Sequence, residues 1–162
     1  MPTLALLSGA TIGFYMPYFI CPNCRQRVVD DDRRDGLSHQ PVGCSSCGFG
    51  FLFELLEDYF PRPGTGMIVC GADRRILALG RGVFELSGYQ EKDVLGKDFT
   101  ESVGLSGFDG QNPVEVAIEW GVRQLDQRLT LRTKSGTERG VVADLFPAYD
   151  EDGGLLIALA PG

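Results

Sequence analysis

The sequence is poor in the residues that most acid–base and cofactor sites use. It holds one histidine, His39, and one tryptophan, Trp120, in 162 residues. A lone histidine excludes a poly-histidine metal site, and no nucleophile–base pair can be assembled around it. Basic charge is scarce as well: 15 Lys and Arg face 22 Asp and Glu, for a net charge of −7. Binding to a phosphate backbone needs clustered cations, so nucleic acid is disfavoured as the principal partner. The first 62 residues are no exception, with five basic and seven acidic side chains. Long apolar runs are missing too. Met1 to Cys24 carries no charge, yet Pro2, Gly9, Gly13 and Pro17 interrupt it. No stretch of about 20 apolar residues survives to span a membrane. The positive start of a secretion signal is also absent. A soluble, cytoplasmic chain is the expectation.

Cysteine is the residue present in pattern. Four of the five cysteines form two Cys-x-x-Cys pairs, Cys21-Pro22-Asn23-Cys24 and Cys44-Ser45-Ser46-Cys47. Each such turn sets two sulfurs on one side of a tight loop, and two loops face to face supply four thiolates. The interval from Arg25 to Gly43 suits a zinc ribbon. Two disulfides would need an oxidising compartment, for which no secretion signal speaks. A rubredoxin-like iron centre uses the same ligands, and a thioredoxin-like redox pair would have to open a helix after a strand. Structural zinc on Cys21, Cys24, Cys44 and Cys47 is the preferred reading. Four protein ligands close the shell, so no position is left for substrate or activated water. Arg25 stands where many ribbons carry glycine. His39 is expected at the surface, and Asp30-Asp31-Asp32-Arg33-Arg34-Asp35-Gly36 as a solvated loop rather than a calcium site.

Composition then separates the chain into parts. With 43% hydrophobic and 23% charged residues it can bury a core. Residues 1–15 read as an uncharged N-terminal extension, 16–50 as the ribbon, 51–66 as a connecting helix and Pro/Gly linker, and 67–162 as a second domain. Phe51, Leu55 and Tyr59 fall on one helical stripe, with Leu52, Leu56 and Phe60 on the next. This helix carries more apolar surface than one neighbour can cover, which points either to a cap on the second domain and part of a dimer interface or to a helix covered within one chain between ribbon and sheet. Beyond it, Met67–Cys70, Ile76–Leu79, Arg128–Arg132, Val141–Phe146 and Leu155–Leu159 read as strands. Val83–Leu86 and Lys92–Leu95 read as short helices. Asn112-Pro113-Val114-Glu115 starts a third with an N-cap amide, proline at N1 and glutamate at N3; Gly121 stops it. The order describes an α+β domain with an antiparallel sheet.

These segments carry a resemblance. Met67-Ile68-Val69-Cys70, Arg75-Ile76-Leu77, Phe84-Glu85-Leu86-Ser87-Gly88-Tyr89, Val94-Leu95-Gly96-Lys97 and Asp150-Glu151-Asp152-Gly153-Gly154 resemble a PAS domain in order and spacing, over Gly66 to Pro161. Gly71 and Gly80 depart from the family, which often has Asp and Asn there; the departure bears on a ligand pocket and not on the fold. The resemblance implies a five-stranded antiparallel sheet with short helices behind the ribbon. It also implies signal perception, dimerisation or small-ligand sensing. No haem or flavin is expected, because the domain has no histidine and no cysteine in the helical segment after Gly96 where light-sensing flavin domains carry one. Cys70, its only thiol, is expected to pack as a small apolar residue. No output domain follows in the sequence, so a non-enzymatic sensor or adaptor acting in trans on a protein partner, with self-association as one arrangement, is the expectation. The alternative is a transcription-associated ribbon protein touching nucleic acid or polymerase. Glu115 and Glu119, four residues apart, read as solvated carboxylates rather than a catalytic pair.

Overall fold

The computed structural model describes residues 18–29, 44, 46–49, 52–55, 59–148 and 153–162. The extension 1–15, the loop Asp30–Gly36, His39, Leu56 and the turn residues Asp150–Asp152 lie outside the described residues.

Leu155-Leu156-Ile157-Ala158-Leu159-Ala160 contains no polar side chain, as a strand covered on both faces requires. It belongs to β9 (Leu155–Pro161), which lies inside a six-stranded antiparallel sheet. The other strands are β4 (Gly66–Cys70), β5 (Ile76–Leu79), β6 (Leu105–Ser106), β7 (Gln124–Arg132) and β8 (Glu138–Pro147), in the order β5-β4-β9-β8-β7-β6. Five are the strands expected from sequence, and β6 adds two residues at an edge. Successive residues alternate between faces. Leu155, Ile157 and Leu159 join Ile68, Cys70, Ala143 and Leu145 on the inner face, while Leu156 and Ala158 join Met67, Val69 and Phe146 on the outer one.

Four short helices cover the inner face: α1 (Val83–Ser87), α2 (Glu91–Val94), α3 (Phe99–Ser102) and α4 (Pro113–Trp120). α4 begins and ends as its sequence dictates. The Asn112 side chain accepts from the Val114 N–H, and Gly121 turns left-handed at φ 65° to close it. Val114 and Ala117 then face the core. α3 escaped the sequence reading, being only four residues long. The Asp98 carboxylate caps it by accepting from Thr100 and Glu101, and the buried Phe99 ring anchors it. Among the described residues, no helix is long and apolar enough to cross a membrane.

A second, three-stranded sheet covers the outer face. Its strands are β1 (Tyr18–Ile20), β2 (Arg27–Val29) and β3 (Phe53–Leu55), in the order β2-β1-β3. β3 corrects the helix expected over Phe51–Phe60. Phe53–Leu55 pairs antiparallel with β1, placing Phe53 opposite Ile20, and Tyr59 and Phe60 follow outside any helix or strand. The cause is burial on two sides. Leu52 packs with Phe19 beside the cysteines, and Phe53 packs with Ile20 on the large sheet. A segment held between two apolar layers needs consecutive apolar residues, and such a run also satisfies helical stripes. The dimer interface inferred from that helix loses its basis with it. Phe53 and Tyr59 are buried within the chain, and the exposed Phe60 ring lies 4.0 Å from the Arg27 guanidinium.

Tyr59 pins this segment to the sheet. Its ring meets Phe146 edge-on at 4.6 Å between centroids, and its hydroxyl donates to Asp144 Oδ2 at 3.1 Å. Asp144, itself buried, also accepts from the Asp126 N–H at 2.8 Å. Burial first, and the Asp144 charge second, raise the Tyr59 pKa above that of a free phenol. Both folded and unfolded chains keep the proton below about pH 10, so the contribution is fully present there. As pH rises past that value only the unfolded chain ionises, and stability falls. Tyr59→Phe is therefore expected to cost about 1–3 kcal/mol near neutral pH and to flatten the alkaline slope. Urea titrations at pH 7, 10 and 11 read both effects; an unchanged alkaline slope would refute the assignment.

Candidate metal centre

Each Cys-x-x-Cys segment folds into the same knuckle. In the first, the Cys21 N–H donates to the Gln26 carbonyl at 3.1 Å and the Arg25 N–H returns to the Cys21 carbonyl at 2.7 Å. In the second, Cys44 and Phe49 are joined at 2.8 Å, and Gly48 and Cys44 at 2.9 Å, in the same sense. The residue after each pair is left-handed: Arg25 at φ 63° and Gly48 at φ 80°. Glycine adopts that conformation freely, whereas arginine accepts it at about 1–2 kcal/mol. The Arg25 guanidinium offsets part of this by donating to the Thr65 carbonyl at the start of β4. The departure from glycine noted in the sequence thus has a tertiary partner.

The knuckles bring all four sulfurs within 4.8 Å of one another. Two separations cross between knuckles: Cys21 to Cys47 at 3.6 Å and Cys24 to Cys44 at 3.7 Å. A tetrahedral ion with metal–sulfur bonds of about 2.3 Å places its ligands about 3.8 Å apart. A disulfide would need about 2.05 Å, and all four thiols are free. Cys21 and Cys44 are buried, and Cys24 and Cys47 half-buried. Among the described residues this is the one cluster of three or more side chains able to hold a metal.

Hydrogen-bond donors surround the sulfurs. The Cys24 N–H approaches Cys21 Sγ at 3.5 Å, the Ser46 N–H approaches Cys44 Sγ at 3.4 Å, and Asn23 Nδ2 approaches Cys47 Sγ at 3.6 Å. Such donors stabilise thiolates and orient them toward an ion. Burial pushes the Cys21 thiol up to about 12, while the Phe49 N–H, followed by the Asn23 amide, holds Cys47 down to about 6. The set is that of a closed thiolate site. It suits soft, tetrahedral ions such as zinc and offers no open position for chemistry.

The remaining candidates fall elsewhere. Cys70 lies on β4 facing the helices, and burial raises its pKa to about 12, so it is a protonated, unreactive thiol. On the sheet its register partners are Ile76 and Leu155, both buried in the same inner core. Glu115 is paired with Arg74 at 3.1 Å and Glu119 is exposed, so the two carboxylates do not act as a pair. Asn23 and Asp144 were not singled out by sequence, and Arg25 and Tyr59 were noted only as a departure from glycine and as part of a helical stripe. The contacts that give them roles beyond the knuckles, Arg25 to Thr65, Asn23 to Arg81 and Tyr59 to Asp144, span 40 to 85 residues, beyond the reach of local motifs.

No protein-family model matches the chain, and neither does any curated protein. Solved structures do match in three dimensions. The light-state dimer of the fungal blue-light photoreceptor Vivid is similar at a TM-score of 0.52 and 15% identity, over 65% of this chain and 82% of that one. The large sheet with its four helices has a PAS-like fold. The PAS domain of nitrogen regulation protein NR(II) from Vibrio parahaemolyticus matches at a TM-score of 0.49 and 12% identity, over 62% and 92% of the two chains. A PAS domain from Colwellia psychrerythraea matches at 0.47 and 18%, over 59% and 84%. At these identities the likeness concerns the fold.

Proposed function

We propose that the protein is a sensor or adaptor module, working by association with a protein partner, in which a structural zinc ion on Cys21, Cys24, Cys44 and Cys47 braces a PAS-like domain. The observation that carries this reading is the four-cysteine cluster of a small ribbon whose opposite side covers the outer face of a PAS-like sheet. Residues 16–50 serve as the metal unit and 67–162 as the PAS-like domain, and the third ribbon strand within 51–66 ties them together. Free thiols suit a reducing compartment, and we assign the protein to the cytoplasm on that ground. The dimer in the Vivid structure supports association as the mode of action, with self-association as one form of it.

Elemental analysis of protein purified without added metal is expected to give about one zinc per chain, as a single closed site requires. Iron in that amount would replace zinc by a rubredoxin-like centre. The same sample is expected to be colourless above the aromatic band, and a strong Soret band would overturn this, with Cys70 the first ligand to test. Light scattering at micromolar concentration, alone and after capture of host proteins on tagged chain, tests association. A strictly monomeric protein that captures nothing would sink the adaptor reading and leave the metal site untouched.

A further inference from the structure

Consecutive residues of β1 face opposite ways. Phe19 packs with Cys21, Cys44 and Leu52 in the small core around the thiols, and Ile20 packs with Met67, Val69 and Phe146 on the outer face of the large sheet. Leu52 and Phe53 repeat the alternation. Whatever orders the thiol core therefore also sets the residues that cover the sheet. That core has two buried apolar side chains besides the cysteines, and its three strands are three residues long each. Strands so short do not hold together in water without help. A metal ion supplies that help in small thiolate modules, where binding and folding are one equilibrium.

A second link runs through Asn23. Its Nδ2 donates to Cys47 Sγ at 3.6 Å, and its Oδ1 accepts from the Arg81 N–H at 2.9 Å. Arg81 lies between β5 and α1. The preceding Gly80 sits so close to the first knuckle that a Cβ there would fall 2.0 Å from the Pro22 carbonyl oxygen. Glycine is required at 80 for that approach. The neighbouring segments are packed as tightly: a Cβ on Gly66 would meet the Val83 nitrogen at 2.5 Å. With Arg25 on the Thr65 carbonyl, the first knuckle sits on the junction from which β4 and α1 both start.

We propose that metal binding at the four cysteines closes the outer face of the PAS-like sheet. The Asn23–Arg81 and Pro22–Gly80 contacts carry the coupling, and loss of the metal uncovers the face formed by Met67, Val69, Phe146 and Leu156. The inference rests on the metal reading above and adds a consequence to it. The occupancy of the cysteines becomes a variable that the sheet reports, rather than a passive brace.

The test uses the full chain, with metal content measured separately from structure. Amide hydrogen exchange is followed with and without a zinc chelator. In the chelated protein, β1, the Arg81 amide and Met67–Cys70 are expected to exchange at least about tenfold faster, while α4 is unchanged. An apolar dye is expected to bind only the chelated form. Gly80→Ala drives a methyl group against Pro22 without touching a ligand. It is expected to retain its metal yet lose protection at Arg81 in the metal-loaded state. Should that variant fail to fold, Asn23→Ala removes the companion contact without adding an atom. Because its amide also donates to Cys47 Sγ, that variant is expected to hold metal more weakly, so its exchange is read with zinc in excess, where protection at Arg81 is expected to be lost. One metal per chain, with exchange at Arg81 and Met67–Cys70 indifferent to chelation, overturns the coupling and leaves the metal site standing. Absence of any metal overturns the site itself, and the coupling with it.

Discussion

Cys44→Ser is expected to abolish metal retention and unfold the three-stranded ribbon while the PAS-like domain stays folded. Cys44 is 5% exposed, 3.7 Å from Cys24 Sγ, and receives the Ser46 N–H. A serine hydroxyl in its place is a hard, neutral ligand beside three thiols, and it breaks the charge and geometry of the tetrahedron. Metal binding in comparable thiolate modules contributes about 10–16 kcal/mol, far more than nine strand residues and a two-residue apolar core provide. The inner core of the PAS-like domain does not share this dependence, because Phe99, Leu131, Leu145 and Ile157 pack among themselves and the helices. Its thermal midpoint is expected to fall, since the outer face loses Ile20 and Phe53. Elemental analysis reads the metal, and two-dimensional NMR separates ribbon from domain. Cys70→Ser is the control: its thiol faces the helices, so metal is retained. If Cys44→Ser keeps one metal per chain, or if the parent holds disulfides and no metal, the thiolate site is refuted.

The cysteine site was legible because its determinants are local. A Cys-x-x-Cys turn sets its own geometry within five residues, and two copies define a site wherever the chain brings them together. The caps of α4 were legible for the same reason: Asn112, Pro113 and Gly121 act on the residues beside them. Strands β4, β5, β8 and β9 showed as apolar runs bounded by turn residues. What those runs did not reveal is how many layers cover them. Leu155–Ala160 is apolar throughout because helices lie on one side and the ribbon on the other, and only the second sheet explains the outer half. Phe53 was misread from the same ignorance. Leu52 and Tyr59 are apolar for two separate reasons, one facing the thiols and one facing Phe146, and they contribute to the two adjacent stripes that imitate a helix. Asn23 was invisible as a link because Arg81 contributes only its backbone, which leaves no mark in composition.

The thermodynamic value of the cover can be measured at Phe146. Its side chain is 1% exposed at the centre of the outer face, edge-on to Tyr59 and clustered with Ile20, Phe53 and Met67. In metal-loaded protein, Phe146→Ala is expected to cost about 3–5 kcal/mol, through lost burial and the cavity left between two layers. In the Cys44→Ser background the ribbon no longer lies over the ring, which is already open to water on one side. Truncation there forfeits less burial and leaves no enclosed cavity, so the cost is expected to drop by about 1–3 kcal/mol. Phe99→Ala is the reference. Phe99 is equally buried but belongs to α3 and packs in the core on the inner side of the sheet, so its cost of about 3–5 kcal/mol is expected to be the same in both backgrounds. Denaturant unfolding of the parent and the two truncations, each with and without Cys44→Ser, closes both cycles. A coupling at Phe146 with none at Phe99 assigns the stabilisation to the ribbon on the outer face. Equal costs at Phe146 in the two backgrounds would mean that the face stays covered without the metal.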